Sequence, residues 1–240
     1  MLTRDVDPTR STARARLESL QPGARSIDLE AVKLPRSFYS RPTLDVAHDL
    51  LGKVLVHRHR GATTSGIIVE VEAYIGEEDP ACHAAPGRTL RNQPLYGPPG
   101  FSYVYLNYGI HSLVNVVAEP DGSPAAVLVR ALDPLDGVAT MRRRRGGAMK
   151  GRRATDPAAL NVHDLCRGPG NLTMAMGIGL DANRLDLLGD RLLVEDRGVR
   201  IGPVRWGPRI GIRVGTERPW RGWVDGNPAV SRPTRISTQR

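Results

Sequence analysis

The chain has 240 residues, 40% of them apolar, and a formal net charge of +9. That length suits one domain with a core large enough to stand alone, and no run of about 18 apolar residues occurs that could cross a bilayer as a helix. The charge favours a polyanionic partner, nucleic acid or an acidic membrane surface, although a basic proteome rich in arginine would produce the same excess.

Residues 1–33 are polar and arginine-rich and are expected to form a disordered basic tail, with at most a short helix at Ala13–Leu20. Met1–Arg16 has no apolar core, so no secretory signal is expected. A single domain should run over 34–231, with residues 232–240 frayed. Thr43–Gly52 has helical periodicity, with Thr43 as a candidate N-cap and Gly52 as the stop, and Lys53–His57 follows as a strand.

Ile67–Ile75 is the most informative strand. Alternation places Val69, Val71, Ala73 and Ile75 on one wholly apolar face and Glu70, Glu72 and Tyr74 on the other, with neighbours on a face roughly 6.6–6.8 Å apart. Glu77–Pro99 is a long loop rich in Gly and Pro, a length at which loops are often functional. Phe101–Val117 reads as two strands joined by a tight turn at Tyr108-Gly109, and Val127–Leu132 as another strand, carrying Arg130. Met141–Ala154 holds seven basic side chains among glycines and is expected to be a flexible basic loop. Gly168-Pro169-Gly170 should open a helix, with Asn171 as a possible N-cap, and strands are expected near Leu192–Glu195 and Ile210–Val214.

Four groups could carry chemistry. Five of the six tyrosines, Tyr74, Tyr96, Tyr103, Tyr105 and Tyr108, fall within residues 74–108. Aromatic faces can receive an unstacked base, but tyrosines also favour cross-strand pairs; Tyr108, at a hairpin tip, has little core to fill. Glu70 and Glu72 share a face, and two like charges push each other's proton affinities apart, although two solvated carboxylates would show the same spacing. Spacing does not choose between them. Cys82-His83 is a weak metal signal without further ligands. Cys82 and Cys166, the two cysteines of the chain, form no CxxC pair, which argues against a disulfide framework or zinc finger and fits a reducing cytoplasm. Arg88 and Arg91, in the long loop beside the aromatic tip, are candidates for phosphate contact, whereas the 142–153 run suits a solvated loop.

Taken together, several stretches resemble a known family: Glu70-Val71-Glu72-Ala73-Tyr74, Glu78-Asp79-Pro80-Ala81-Cys82-His83, Arg91-Asn92, Tyr103-Val104-Tyr105-Leu106-Asn107-Tyr108-Gly109, Asn115, Val127–Leu132 and Leu165-Cys166-Arg167-Gly168-Pro169. From about Leu34 to Val230 the chain resembles the alkyladenine (3-methyladenine) DNA glycosylases. The resemblance implies an α+β fold, one domain with a curved, largely antiparallel mixed β-sheet and surrounding helices. It also implies a monofunctional enzyme without metal or other cofactor, acting as a monomer on double-stranded DNA that contains damaged purines. Residue by residue, it implies that Glu72 deprotonates a water and Arg130 lies near that water. Tyr74 stacks on one face of a flipped base, with His83 and Tyr105 on the other. Asn115 crowds the exocyclic amino group of guanine, Tyr108 fills the gap left in the duplex, and Arg88 and Arg91 contact the DNA backbone. Ile110 and His111 depart from the mammalian pattern, which has Met and Tyr there. No lysine occupies a natural Schiff-base position in these motifs, so no lyase step is expected. A non-catalytic nucleic-acid-binding module with a tyrosine stacking platform is the alternative; a sugar-processing hydrolase using Glu70 as its second carboxylate fits the basic charge less well.

Overall fold

The computed structural model describes residues 31–147 and 156–231; most of the expected tail, the second half of the basic run and the 232–240 end lie outside these. In chain order the described elements begin with strand β1 (Val32–Lys33) and helices α1 (Arg36–Tyr39) and α2 (Thr43–Leu50). Strands β2 (Val54–His59), β3 (Ala62–Ile75), β4 (Ser102–Asn107), β5 (His111–Val117) and β6 (Ala125–Pro134) follow. Helices α3 (Val138–Gly146) and α4 (Pro169–Met176) come next, then strands β7 (Leu192–Asp196), β8 (Val204–Gly207) and β9 (Arg221–Val224). The strands form one curled sheet in the order β1-β7-β2-β3-β6-β5-β4, with β9 added on β3 and β8 on β9. Each pairing is antiparallel. This is the expected α+β, largely antiparallel architecture.

The centre of the sheet is β3. Its first half pairs with β2 on one side, and from Glu70 to Glu72 that side is taken over by β9. On its other edge the ladder with β6 slips between Ile68 and Val71, a local irregularity that bends a strand. Val69, Val71 and Ala73 enter the main apolar core, as the alternation requires. The polar face is not solvated: Glu70 and Glu72 are both fully buried.

The hairpin forms as read. Tyr108 and Gly109 both have positive φ, +50° and +69°, and the Asn107 carbonyl accepts from the Ile110 N–H at 3.1 Å. Glycine adopts this geometry freely; for tyrosine the left-handed region costs about 1–2 kcal/mol.

Several expectations are corrected. Regular structure includes Val32 and Lys33, which pair with Asp196 and Glu195 as strand β1. Pro42, not Thr43, occupies the cap position of α2; the Thr43 hydroxyl and N–H both donate to Glu119. Asn171 lies inside α4, whose cap position is Gly168 at φ +88°. There the Asn171 amide donates to the Arg167 carbonyl, and its oxygen accepts from Arg145.

The first part of the basic run is helix α3, not a flexible loop. Its arginines act as staples between segments. Arg142 donates to the Leu160 carbonyl, Arg144 to the Ala175 carbonyl and Arg145 to Asn171, while Arg143 stays exposed. Residues 210–214 form no regular strand; the C-terminal strands are β8 and β9 instead. Pro208 and the positive φ of Gly211 (+81°) break the ladder there.

Candidate active site

Glu70 and Glu72 project from β3 where β9 covers it, and they are bound differently. Glu70 Oε1 accepts from Arg130 Nε at 3.1 Å, Arg221 Nε at 2.7 Å and the Ser231 hydroxyl at 2.7 Å; Oε2 accepts the Ser231 N–H at 2.7 Å. Two guanidiniums and the Ser231 hydroxyl and N–H surround it, and it fastens Ser231 to the central strand.

Glu72 is held by three donors. Oε1 accepts the Ile210 N–H at 2.6 Å, and Oε2 accepts from the Tyr74 hydroxyl at 2.9 Å and Arg130 Nη1 at 3.1 Å. Burial pushes its carboxyl above the ordinary carboxylate range, against the downward pull of Arg130, the Ile210 N–H and the Tyr74 hydroxyl, and Glu70 adds to the rise. A carboxylate with raised proton affinity is the stronger general base. Arg130 bridges the two acids, Nε to Glu70 and Nη1 to Glu72.

Tyr74, Arg130 and Ile210, the three residues bonded to Glu72, all line one cavity of about 340 Å³, near the lower end of the 300–1,000 Å³ typical of small-molecule sites. Much of the remaining lining is aromatic. The rings of His83 and Tyr105 meet at 4.4 Å between centroids, and His83 Nδ1 shares a hydrogen bond with the Tyr103 hydroxyl at 2.9 Å. Desolvation among the neighbouring rings, then the Arg91 charge, holds the His83 imidazole below its usual range. Asn115 closes the site from β5; its amide donates to the Tyr103 carbonyl at 3.0 Å, across the Tyr103–Asn115 pair of the hairpin.

Tyr108 also borders the cavity and is 88% exposed. The fold thus gathers Arg130, Tyr74, His83, Tyr105, Asn115 and Tyr108 around one opening, with Glu72 behind them. Arg88 and Arg91 are exposed and do not line the cavity. Arg91 is tied to β4 through the Leu106 carbonyl at 3.3 Å, and the Arg88 guanidinium lies 5.4 Å over the Tyr96 ring. His111 packs against Gly170, where an added Cβ would come within 2.9 Å of its ring, and Ile110 is exposed at the tip.

Two parts of the site are invisible to strand alternation. One is the Ile210 N–H, a backbone donor from a segment read as strand. The other is the fully buried ion pair of Arg209 with Asp79, with contacts at 2.5 and 2.8 Å. It ties the Cys82-His83 loop to the segment bearing Ile210. The signals available for that segment were Pro208 and Gly211, which flank it and disfavour a regular ladder.

Among the described residues, no helix is long and apolar enough to cross a membrane. Both Cys82 and Cys166 are buried free thiols.

A sequence profile of the family described as methylpurine-DNA glycosylase (MPG) matches residues 37–228. A protein of Burkholderia lata named "Putative 3-methyladenine DNA glycosylase" is 46% identical over 203 residues, covering 83% of this chain and 91% of its own. Proteins of the same name from Burkholderia cenocepacia and Methanocella arvoryzae are 45% and 43% identical, covering 82% and 83% of this chain and 90% and 96% of theirs. The chain belongs to the methylpurine-DNA glycosylase family, and is a DNA glycosylase, a hydrolase of N-glycosyl bonds.

Proposed function

We propose that this glycosylase flips an alkylated or deaminated purine, such as 3-methyladenine, 7-methylguanine or hypoxanthine, out of duplex DNA. It then hydrolyses the N-glycosidic bond with a water activated by Glu72 and leaves an abasic site. The observation that carries this is the position of Glu72: buried, raised in proton affinity, and bonded to three residues that all line an aromatic cavity beside an exposed tyrosine.

Tyr74 takes one face of the flipped base, and His83 and Tyr105 the other. Asn115 stands where a guanine amino group would crowd it. Tyr108 enters the gap in the duplex; its exposed ring restores stacking that the extruded base gives up, worth about 1–3 kcal/mol per base. The purine leaves with the electron pair of the N-glycosidic bond as positive charge builds on the sugar. The water oxygen bonds to C1′, and its proton passes to Glu72. Arg130 orients the carboxylate and the water. An N3- or N7-alkylated purine is already cationic and leaves neutral; hypoxanthine needs a proton on the base as it departs. Among the described residues no lysine lines the cavity, and the proposed reaction has no lyase step. The enzyme works as a monomer on double-stranded DNA, without cofactor, in the cytoplasm; the buried free thiols and the positive charge fit this.

The test is the pH dependence of single-turnover excision from a duplex carrying one 7-methylguanine. Glu72 must be ionised to accept the water's proton. With its proton affinity raised, activity is full above the shifted value and lost as pH falls through it. The acid limb should therefore lie above about 4.3, the ordinary glutamate value. A rate that stays flat down to that value, or no abasic product, counts against the assignment.

The backbone contacts have their own readout. Arg91→Ala should weaken binding to all duplexes alike and reduce the slope of log K against log salt by about 0.9, the contribution of one phosphate contact. An unchanged slope would remove Arg91 from the interface; Arg88→Ala is read the same way.

A further inference from the structure

The face of Tyr74 turned away from the cavity is covered. Tyr74 lines the cavity; Arg209 does not, and its side chain is fully buried. Its guanidinium lies 4.7 Å from the Tyr74 ring centroid and 5.1 Å from that of Trp220. Trp220 in turn carries the Arg218 guanidinium at 4.6 Å. The cavity wall is thus the outermost layer of a stack in which aromatic rings and guanidiniums alternate. Arg209 is fixed within it by both oxygens of Asp79 and by the Ala73 and Gly215 carbonyls.

An aromatic ring attracts a cation through the negative potential of its faces. A guanidinium on one face draws on that potential and opposes a second cation arriving on the other. The purines proposed for this site differ in this property: 7-methylguanine is a cation, hypoxanthine is neutral. Asp79 partly screens the guanidinium and also faces Arg218 Nη1 at 3.8 Å, so the charge felt at the front of Tyr74 depends on how much of the carboxylate offsets Arg209.

We propose that the Arg209–Asp79 pair is a specificity-determining element that sets, through the Tyr74 ring, the preference of the cavity for cationic over neutral purines. This rests on the proposal that Tyr74 stacks on the flipped base. Neither residue touches the base. With Asp79 present its charge offsets that of Arg209 and the wall accepts both classes. With Asp79 neutralised the unscreened guanidinium should disfavour the cationic lesion; with both charges removed the cationic lesion should gain.

The experiment measures the enzyme concentration giving the half-maximal single-turnover rate, on otherwise identical duplexes carrying one 7-methylguanine or one inosine. The readout is the ratio of the two concentrations. Asp79→Asn should raise the 7-methylguanine-to-inosine ratio by about threefold, and the double variant Asp79→Asn/Arg209→Met should lower it by about threefold, the scale of an exposed to partly desolvated cation–π contact. A purely structural role for the pair moves both duplexes together and leaves the ratio at the wild-type value in both variants, which overturns the proposal, as does a shift of the ratio in the same direction in both. Removing both charges leaves no unpaired ion in the buried core, because Arg218 is partly exposed and keeps Glu217 at 3.5 Å, and it is better tolerated than removing one. The double variant therefore carries the test if Asp79→Asn does not fold. Failure of the wild-type enzyme to excise either base would contradict the proposed function instead, and is distinguishable from a constant ratio with excision intact.

Discussion

Glu72→Gln is expected to lower the single-turnover excision rate by about 10²–10⁴-fold, the range for loss of a general base, while leaving the affinity for a lesion-bearing duplex within a few-fold of wild type. The amide has the shape of the carboxylate and keeps an oxygen for the Ile210 N–H or the Arg130 Nη1. The cavity walls, which come from Tyr74, His83, Tyr105 and Asn115, do not depend on the charge. What the amide loses is the ability to take a proton from water. A binding protein without chemistry would show no rate to lose, and a glycosylase relying on another base would keep its rate.

The second large effect belongs to the neighbouring acid and has the opposite character. Glu70→Gln should cost about 3–5 kcal/mol of stability, the usual result of removing one partner from a buried ionic network. The loss leaves Arg221, and Arg130 in part, without a compensating charge, and weakens the anchorage of Ser231 to β3. In a domain of this size a loss of that order lowers Tm by on the order of 10 °C. A thermal scan reads this directly. The melting temperature should fall strongly for Glu70→Gln and little for Glu72→Gln, while excision per folded molecule should fall most for Glu72→Gln. An exchange of these two phenotypes would reverse the roles of the two carboxylates.

Strand periodicity carried the reading as far as two acids on one face and no further. Alternation along β3 depends only on the pleat, so the apolar set Val69, Val71 and Ala73 and the polar set Glu70, Glu72 and Tyr74 were legible. So was the hairpin, because Tyr108-Gly109 interrupts two alternating runs. What separates Glu70 from Glu72 is tertiary: Arg221 from β9, Ser231 beyond it and Ile210 from an irregular segment all arrive from more than 130 positions away. The resemblance to the glycosylase family singled out Glu72; periodicity did not.

The failures have a common cause. Arg142, Arg144 and Arg145 look like a solvated charge run because composition reports charge and not hydrogen-bond partners. In the fold their guanidiniums serve carbonyls and an amide of α4 and its approach. Asn171 looks like a cap because it follows Gly-Pro-Gly, yet Pro169 already starts the helix with its preset φ, which moves Asn171 into the first turn. Ile210–Val214 has strand composition, but Pro208 and Gly211 break its ladder and leave the Ile210 N–H free to bind Glu72.

The most direct measurement is alkali-dependent strand cleavage of a duplex carrying a single inosine, with wild-type enzyme and Glu72→Gln side by side. Wild type should produce a break at the inosine only after hot alkali, the mark of an abasic site left by hydrolysis, and Glu72→Gln should shift the duplex on a gel without producing that break. A gel shift without breakage by the wild-type enzyme, or equal breakage by both proteins, would contradict base excision driven by Glu72.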